Sequence, residues 1–422
     1  MAQIAVIGAG YVGLTTAACF SSLGHEVICA DIDEQRVERL RAGEIPIVEA
    51  GLEALVREGM EGGRLRFVVG AEVAARSAEF AYLCVPTPQG DDGSADLSYV
   101  EAAARQIGPV LPSEAVVVNK STVPVGSTRV VERVLGRDDV AVVSNPEFLR
   151  EGSAVHDFLN PERIVIGSDD QSAAVRVAAL YIGVTAPIIV TDPASAETIK
   201  YASNAFLATK ISFVNAIAAV CEAVGADVKD VVLGMGYDKR IGHEFLKPGP
   251  GWGGSCFPKD SRALVHIADS AGYSFDLLRG VITVNDDQFH RVVSKVREQM
   301  GGSLAGVRVG VWGLTFKART DDTRDSPALR IVSLLADEGA EVSAYDPAVK
   351  APVGGVVPAA DPYSVCDGAD VLVVLTEWDE FRWLDFDKVA GLMAEPRVVD
   401  ARNLLDKPAL ERRGFVYTGI GR

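Results

Sequence analysis

Residues Gly251 to Asp260 read GWGGSCFPKD, a glycine-rich loop that brings one cysteine to the start of a predicted helix. Glycines allow the backbone to approach a ligand closely. A thiol beside Lys259 and near a helix N-terminus has its thiolate form favoured, and the thiolate is the nucleophilic form. Cys256 is therefore a candidate nucleophile. The alternative is a buried cysteine that only packs in a tight turn.

The chain begins with the pattern of a dinucleotide-binding βαβ unit. A short apolar strand, Ile4 to Ile7, precedes the glycines of GAGYVG, and a second strand, EVICAD, ends at Asp31. Gly8 permits a tight turn, Gly10 lets a pyrophosphate approach the backbone, and Gly13 allows close helix packing. The pattern predicts a nicotinamide or flavin dinucleotide site. A carboxylate at this strand end repels a 2′-phosphate, which favours NAD over NADP.

Three further predicted strands end in polar or proline-rich turns: Phe80 to Val85, Ala115 to Asn119 and Val140 to Ser144. In open α/β sheets, ligands bind at the carboxyl ends of the strands. Residues in these turns are therefore candidates for lining the site, although each is otherwise a turn or cap residue. They are Thr87, Thr122, Glu147 and Glu151.

From about Ala196 the sequence predicts a helix of nearly thirty residues with apolar and small side chains on all sides. Such a helix must be buried, either between domains or against its copy in another subunit. Lys200 and Asn204 lie four residues apart and project from one face. A lysine on so apolar a segment is costly unless it is paired or functional, so a functional role is favoured over a solvent-directed one.

After helical stretches that run to about Gly301, a third segment repeats the pattern of the first, with a strand in GVRVGVWG, a helix in SPALRIVSLLADEG and a strand in AEVSAYDP. Gly313 is followed by LTFK, so this second Rossmann-like domain is not expected to bind a second dinucleotide. Lys317, Arg319 and Arg324 are candidates for binding phosphates. The alternative is a solvated charge cluster.

These patterns predict an α/β protein with three parts. An N-terminal Rossmann dinucleotide-binding domain is expected at residues 1–195, and a central helical dimerisation domain with the cysteine loop at residues 196–300. A C-terminal Rossmann-like domain is expected at residues 301–422. The dimerisation role of the central domain is not set by these patterns and follows from the resemblance given below.

The composition excludes several classes of protein. With 48% hydrophobic and 23% charged residues, the chain is neither disordered nor fibrous. A formal net charge of −17 opposes binding to nucleic acids and anionic membranes, so a small-molecule partner is expected. No N-terminal signal is apparent, and no apolar run approaches the roughly 20 residues that span a bilayer, so we expect a cytoplasmic protein. Six cysteines without CxxC spacing predict neither a zinc site nor a disulfide framework.

A cofactor site and a reactive cysteine together suggest a specific reaction. NAD accepts a hydride, and an alcohol also needs a group that removes its proton, for which Lys200 and Asp260 acting through water are candidates. A thiolate becomes useful once an aldehyde has formed, because the thiohemiacetal can lose a second hydride and become a thioester. The sequence thus predicts a four-electron oxidation of a primary alcohol to an acid, with two NAD per turnover.

Several sequence blocks together resemble the UDP-glucose 6-dehydrogenases of the UDP-glucose/GDP-mannose dehydrogenase family. They are GAGYVG, KSTVPVG, NPEFLREG, KYASNAFLATKISFVNAI, RIGHEFLKPGPGWGGSCFPKD and FKARTDDTRDSP, in order across essentially all 422 residues. The resemblance implies oxidation of UDP-glucose to UDP-glucuronate, a precursor for polysaccharides. It also implies an N-terminal NAD domain, a dimer core built on the long helix and a C-terminal UDP-sugar domain.

The resemblance also implies roles for individual residues. Cys256 would be the nucleophile and Glu147 an acid/base group, while the water and the developing oxyanion would be organised by Lys200, Asn204, Asp260 and Thr122. The implied cofactor contacts are Gly8, Gly10, Val12, Gly13, Asp31, Arg36, Thr87, Thr122, Glu151, Lys259 and Arg324. The implied sugar-nucleotide contacts are Phe148, Leu149, Arg150, Glu151, Lys200, Asn204, Phe245, Leu246, Lys247, Pro248, Gly249, Gly253, Lys317 and Arg402. Arg240 would reach the neighbouring subunit's sugar site, which implies a homodimer or a higher oligomer.

One position departs from the family pattern, and other functions remain possible. Trp252 stands where Tyr or Phe is expected, although an aromatic ring is kept. GDP-mannose and UDP-N-acetylhexosamine are alternative substrates, against which Phe257 and the preceding FLKPGPG favour UDP-glucose. A dehydrogenase with a single hydride step leaves Cys256 and the third domain unexplained. A non-catalytic sensor would be expected to have lost Cys256, Lys200 or Asp260.

Overall fold

The computed structural model describes residues 1–90 and 93–422 and divides them into two compact units. The first unit comprises Met1–Ser203 and Arg262–Ala271, and the second comprises Asn204–Ser261 and Gly272–Arg422. Each unit contains one mainly parallel β-sheet. The boundaries after Ser203 and Ser261 fall within helices, and the domain limits given above stay a prediction.

The first unit contains an eight-stranded sheet in the order β3-β2-β1-β4-β5-β6-β7-β8. The first six strands follow the Rossmann order, and the pairs are parallel except for β6 with β7. The strands are β1 Gln3–Ile7, β2 Glu26–Asp31, β3 Leu65–Val69, β4 Phe80–Leu83, β5 Val116–Asn119, β6 Ala141–Ser144, β7 Ile164–Gly167 and β8 Ile188–Thr191.

Helices cover both faces of this sheet, because successive side chains of a strand point to opposite sides. Val6 belongs to a core cluster with Leu14 and Phe20 of the first helix, whereas Ile7 belongs to a second cluster with Val131. The helices are α1 Tyr11–Ser22, α2 Glu34–Arg41, α3 Leu52–Glu61, α4 Ala71–Ala75, α5 Ser98–Ile107, α6 Ser127–Leu135, α7 Ala154–Leu159 and α8 Gln171–Ala179.

Four helices follow between the two sheets along the chain: α9 Pro193–Val224, α10 Val228–Gly236, α11 Phe257–Ser270 and α12 Asp276–Gln299. The 32-residue α9 is long and apolar enough, by length and composition alone, to cross a membrane, although one such helix is weak evidence of a span. The expectation that no apolar run approaches bilayer length is therefore wrong for α9. Phe206, Phe213 and Val220, seven residues apart, are each more than half exposed, so they form an apolar stripe.

The second unit contains a five-stranded parallel sheet in the order β10-β9-β11-β12-β13. The strands are β9 Arg308–Trp312, β10 Glu341–Tyr345, β11 Val371–Val374, β12 Arg397–Asp400 and β13 Val416–Gly419. The helices are α13 Pro327–Asp337, α14 Phe386–Leu392 and α15 Lys407–Glu411, with short 3₁₀ turns at Ser364–Cys366 and Asp379–Trp383. The predicted α/β fold, with two Rossmann-like sheets and a helical connector, is confirmed.

The two sheets begin in the same way. Gly8 and Gly313 both adopt a positive φ after the first strand, and each donates its N–H at 2.7 Å to the last or penultimate carbonyl of the neighbouring strand. They differ at the acid that ends that neighbouring strand. Asp346, which follows β10, is fully buried and accepts hydrogen bonds from Leu314, Thr315 and the Trp378 indole. Thr315 and Trp378 thus use hydrogen-bonding capacity of the Asp346 carboxylate, and the expectation that this turn binds no dinucleotide stays a prediction.

Candidate functional site

The turn between β1 and α1 has the shape that a dinucleotide pyrophosphate requires. A Cβ at Gly13 would lie 1.8 Å from the Gly8 carbonyl oxygen, and a Cβ at Gly8 would lie 2.6 Å from the Cys84 carbonyl oxygen. Both glycines are therefore required for packing. A Cβ at Gly10 meets nothing within 4 Å, so the backbone there is open to a ligand at the N-terminus of α1. Val12 lies in the first turn of that helix.

Asp31 ends β2 and is held as a hydrogen-bond acceptor. Its carboxylate accepts from the N–H of Ala9 at 2.8 Å and from the N–H of Asp33 at 3.0 Å. The Arg36 guanidinium donates to it at 3.1 Å. These contacts fix the carboxylate beside the glycine turn, where it fits the ribose hydroxyls of a bound NAD.

For Asp31→Asn we expect weaker discrimination between NAD and NADP. The substitution removes a negative charge that repels the 2′-phosphate, and it releases Arg36 to pair with that phosphate. One charge interaction of about 1.4 kcal/mol is worth a factor of about ten, so the NAD to NADP ratio of kcat/KM should fall about tenfold. Steady-state kinetics with both cofactors measure this ratio. An unchanged ratio would remove Asp31 from cofactor selection.

The turns after β4 and β5 are joined by a buried hydrogen bond. The Thr87 hydroxyl donates to the Thr122 carbonyl at 2.8 Å. The two strands pair in parallel and end together at Leu83 and Asn119. The structure thus places the predicted residues Thr87 and Thr122 side by side at the carboxyl edge of the sheet, where ligands of such sheets bind.

Lys200 and Glu147 form a buried ion pair. The Lys200 ammonium donates to a Glu147 carboxylate oxygen at 2.8 Å and to the Glu147 carbonyl at 2.6 Å. Both side chains are about 5% exposed. The other Glu147 oxygen accepts from the Leu149 N–H at 2.6 Å. The lysine predicted to be paired or functional is therefore paired with a residue predicted to be catalytic.

This arrangement keeps Glu147 ionised. Burial acts to raise the pKa of Glu147, but the charge and hydrogen bond of Lys200, the N–H of Leu149 and the charge of Lys120 outweigh it. Its pKa is held below the usual value, so the resting group is a carboxylate with a cation beside it. Such a pair can accept a proton on Glu147 or stabilise negative charge with Lys200 once a ligand separates the two.

The residues after Glu147 form a well-anchored segment. Arg150 donates to Asp157 from its backbone N–H at 2.9 Å and from its guanidinium at 2.6 Å. The Phe148 ring lies beneath the Arg163 guanidinium at 3.7 Å and near the Lys200 ammonium at 5.4 Å. The contacts of Phe148 and Arg150 thus anchor the segment Phe148 to Glu151, which is predicted to contact the sugar.

Cys256 lies in the second unit at the start of α11. Its carbonyl accepts from the Asp260 N–H at 2.8 Å, so Cys256 occupies the N-cap position of a 14-residue helix. The thiol is partly exposed, and its sulfur lies 3.6 Å from the Ser255 hydroxyl. A helix N-terminus favours negative charge, which is the environment of a nucleophilic thiolate. The other five cysteines are buried.

The first turn of α11 also contains a buried carboxylate. Asp260 has no exposed surface, and one oxygen accepts from the Asn204 amide at 2.6 Å. Its other oxygen accepts from the Lys259 ammonium at 2.7 Å. The structure therefore brings Asn204 of α9 to Lys259 and Asp260, which lie in the turn that follows Cys256.

The glycines of the cysteine loop are required by close packing. A Cβ at Gly253 would lie 2.0 Å from the Asp325 carbonyl oxygen, and a Cβ at Gly254 would lie 2.8 Å from the Phe316 ring. Asp325 has a positive φ of 44°, which is strained for a residue with a side chain. The loop is thus held against the segment that follows β9.

Polar residues on α9 and α12 hold this loop, and the sequence analysis missed them. Asn285 of α12 accepts from the Trp252 N–H at 2.8 Å and donates to its carbonyl at 3.0 Å. Ser212 of α9 accepts from the Trp252 indole at 2.9 Å. Asn215 accepts from the Gly249 N–H, and Gln288 donates to its carbonyl. The signal was available, since each helix carries two buried polar residues three positions apart. The indole bond also accommodates the departure at Trp252.

The second sheet has its strand-order reversal between β9 and β11, where ligands of such sheets bind. Arg402, which follows β12, donates to the Leu375 carbonyl and to the Phe316 carbonyl, both at 2.8 Å. Its guanidinium thereby bridges the segments that follow β9 and β11. Its guanidinium also pairs with Glu377 at 3.0 Å. Arg402 is well placed for a phosphate group in this unit.

The remaining predicted residues differ in their exposure. Lys317 lies over the Phe316 ring, Arg324 pairs with Asp322, and Arg319 has a positive φ. Arg240 pairs with Asp238, and its side chain is 88% exposed. In the loop before the cysteine, Leu246 is buried and Phe245 has a positive φ; Lys247, Pro248 and Gly249 follow.

The described residues, 1–90 and 93–422, contain no group of three or more His, Cys, Asp or Glu side chains placed to hold a metal ion. The chemical groups that the two units offer are a thiol, buried carboxylates and lysines, and a dinucleotide turn.

Three parts of the chain match models of the UDP-glucose/GDP-mannose dehydrogenase family. Residues 2–185 match the NAD binding domain, 194–287 the central domain and 310–407 the UDP binding domain. The chain is 46% identical over 435 residues to a UDP-glucose 6-dehydrogenase of Rhizobium meliloti, covering 100% of this chain and 99% of that protein. It is 46% identical over 432 residues to UDP-glucose 6-dehydrogenase TuaD of Bacillus subtilis, covering 100% and 94%.

Solved structures of nucleotide-sugar dehydrogenases are also similar to this chain. A UDP-glucose dehydrogenase from the hyperthermophilic archaeon Pyrobaculum islandicum is similar with a TM-score of 0.92 and 40% identity, covering 100% of this chain and 98% of that one. The UDP-N-acetyl-mannosamine dehydrogenase Cap5O from Staphylococcus aureus is similar with a TM-score of 0.83 and 27% identity, covering 99% and 98%.

Proposed function

The chain belongs to the UDP-glucose/GDP-mannose dehydrogenase family, and we propose that it oxidises UDP-glucose to UDP-glucuronate in two steps with two NAD per turnover. The predicted family is confirmed, as is NAD as the cofactor, and the protein is an NAD-dependent oxidoreductase. The choice of UDP-glucose is supported by relatives of that name at 46% identity, against 27% for the acetylmannosamine enzyme.

The observation that carries the two-step mechanism is the position of Cys256. Oxidation of an alcohol to an aldehyde needs no nucleophilic thiol, whereas oxidation of an aldehyde to an acid gains from covalent attachment. Cys256 caps α11 with its thiol partly exposed, in a loop whose glycines permit no side chains at two positions. A cysteine that only packs in a core needs neither partial exposure nor a position at a helix N-terminus.

NAD, when bound, accepts the hydride in each oxidation. In the first step the C6 hydroxyl loses a proton and the C6–H bond gives up its electron pair, which leaves an aldehyde. The Cys256 thiolate then adds to the aldehyde carbon, and the resulting oxyanion takes up a proton to give a thiohemiacetal. Loss of a second hydride and proton gives the thioester. Water cleaves the thioester, releasing the carboxylic acid and the thiolate.

Two polar groups of this chain are suited to the proton and charge transfers. Asp260, held by Asn204 and Lys259, can orient a water molecule and accept its proton. Lys200 stabilises an oxyanion, with Glu147 as its counter-ion in the resting state and as an acid/base group when water attacks the thioester.

A homodimer built on α9 is part of the proposal. The apolar stripe of Phe206, Phe213 and Val220 has the seven-residue spacing of a helix packing against another helix. Arg240, with a largely exposed side chain, would leave its pair with Asp238 and extend into the sugar site of a second subunit.

Turnover of the purified protein tests this function directly. With UDP-glucose and excess NAD, we expect two NADH formed per sugar consumed and UDP-glucuronate as the product. GDP-mannose and UDP-N-acetylmannosamine should turn over at least about tenfold more slowly, since each presents groups for which the site was not built. NADH is counted by absorbance and the sugar by chromatography. One NADH per sugar contradicts the two-step mechanism, and faster oxidation of another sugar contradicts the assigned substrate.

A further inference from the structure

A hydrogen-bonded cluster in the first unit ties the first turn of α1 to the segment that follows Glu147. Tyr11 is the first residue of α1, and its phenol hydroxyl donates to a Glu49 carboxylate oxygen. The Gly152 N–H donates to that same oxygen at 2.8 Å and to the Tyr11 oxygen at 2.9 Å. The Glu49 carboxylate therefore joins three segments of the chain, at Tyr11, Glu49 and Gly152. Tyr11, Glu49 and Gly152 have no part in the chemistry proposed above.

Glu49 is the buried member of this cluster, and its carboxylate is costly to bury. Glu49 is 9% exposed, and its second carboxylate oxygen is buried. Burying a carboxylate disfavours folding unless hydrogen bonds or an opposite charge compensate it. Burial, followed by the hydrogen bond and charge of Glu49, raises the pKa of Tyr11 well above its usual value. The phenol therefore stays protonated and remains a donor to Glu49.

The position of the cluster gives it access to both ligand sites of this unit. Tyr11 lies in the turn of α1 that faces the cofactor pyrophosphate, directly after the open backbone at Gly10. Gly152 directly follows the predicted sugar contacts Phe148 to Glu151. The helices α3 and α7, which begin just after Glu49 and Gly152, both pack against α1. A hydrogen bond between the two sites can thus transmit a small displacement of one to the other.

We propose that Tyr11 and Glu49 are positioning residues that couple NAD binding to sugar-nucleotide binding by holding the segment from Glu147 to Gly152 against the first turn of α1. This inference rests on the proposed function, which assigns the sugar contacts to that segment. Coupling between two sites is reciprocal, so either ligand strengthens the binding of the other to the same degree. Without the cluster, each ligand binds as if the other were absent.

The test measures the coupling factor with ligands that do not react. UDP-glucuronate is titrated into the full-length protein by calorimetry, with and without saturating NADH. In the unmodified protein we expect NADH to lower the Kd of UDP-glucuronate about fivefold or more. In Tyr11→Phe, which keeps the ring and loses only the hydroxyl, and in Glu49→Gln, the factor should fall below about two. The Kd of NADH alone should change less than about threefold.

A matched control removes a tyrosine hydroxyl elsewhere. The Tyr363 hydroxyl accepts from the Asp385 N–H in the second unit, so Tyr363→Phe should keep the full coupling factor. The proposal is overturned if the coupling factor is equal in Tyr11→Phe, Glu49→Gln and the unmodified protein. It is also overturned if the unmodified protein has a coupling factor of one. If Tyr11→Phe is unfolded, Glu49→Gln decides. Failure of the proposed function is distinct, because the unmodified protein would then neither bind UDP-glucuronate nor oxidise UDP-glucose.

Discussion

Cys256→Ser should lower the rate of UDP-glucuronate formation by about a thousandfold or more, while NAD and UDP-glucose still bind. A serine hydroxyl is a far weaker nucleophile than a thiolate near neutral pH, so the step that traps the aldehyde is lost. Serine is a favoured N-cap residue, so α11 should keep its first turn and the Asp260 contacts. Acid formation is measured by chromatography and ligand binding by calorimetry.

The matched control for this variant is Cys366→Ser. The buried Cys366 thiol donates to the Pro362 carbonyl at 3.5 Å, and a serine hydroxyl can make the same bond. Its rate of acid formation should stay within about twofold of the unmodified protein, because it lies apart from the proposed chemistry. Normal acid formation by Cys256→Ser would refute covalent catalysis. Equal losses in both serine variants would point to general destabilisation.

The first βαβ unit shows what the sequence could predict. A short apolar run, three spaced glycines and a terminal Asp31 place β1 and β2 to within about a residue. The strands β3, β7 and β8 were missed, although at four or five residues they are as long as the predicted strands β4, β5 and β6. A short apolar run does not by itself distinguish a strand from a loop.

The candidate site was predictable as chemical groups rather than as partnerships. A lysine on an apolar helix implies a partner, but the pairing of Lys200 with Glu147 spans 53 residues of chain. Likewise, the bond between Asn204 and Asp260 spans 56 residues. Only tertiary packing sets such contacts. The cluster of Tyr11 with Glu49 was missed for another reason, since the fingerprint glycines around Tyr11 account for the local sequence without its side chain.

Lys200→Met should lower both stability and activity. Removing the lysine leaves the Glu147 carboxylate buried without its ion-pair partner, which typically costs about 3–5 kcal/mol of unfolding free energy. The rate of acid formation should fall at least about a hundredfold, because the group that stabilises the oxyanion is lost. Thermal or urea unfolding measures the first effect, and steady-state kinetics measures the second.

The double variant Lys200→Met/Glu147→Gln separates these two effects. The glutamine is neutral and can still accept from the Leu149 N–H, so no unpaired charge remains buried. We expect most of the lost stability to return, while activity stays low. Stability as low as in Lys200→Met would show that packing, rather than charge, causes the loss. Recovered activity would exclude a catalytic role for Lys200.

The stability of the unmodified protein and that of Lys200→Met should change with pH in opposite directions. In the unmodified protein the lowered pKa of Glu147 contributes stability above its usual pKa of 4.5, which is lost as the pH falls through the lowered value. In Lys200→Met, burial becomes the dominant influence and raises the pKa of Glu147, despite the charge of the more distant Lys120. As the pH falls, protonation of Glu147 removes its buried charge and so stabilises the variant. The stability difference between the two proteins should therefore shrink on acidification from pH 7 towards about pH 5, and a difference independent of pH would exclude Glu147 as the affected group.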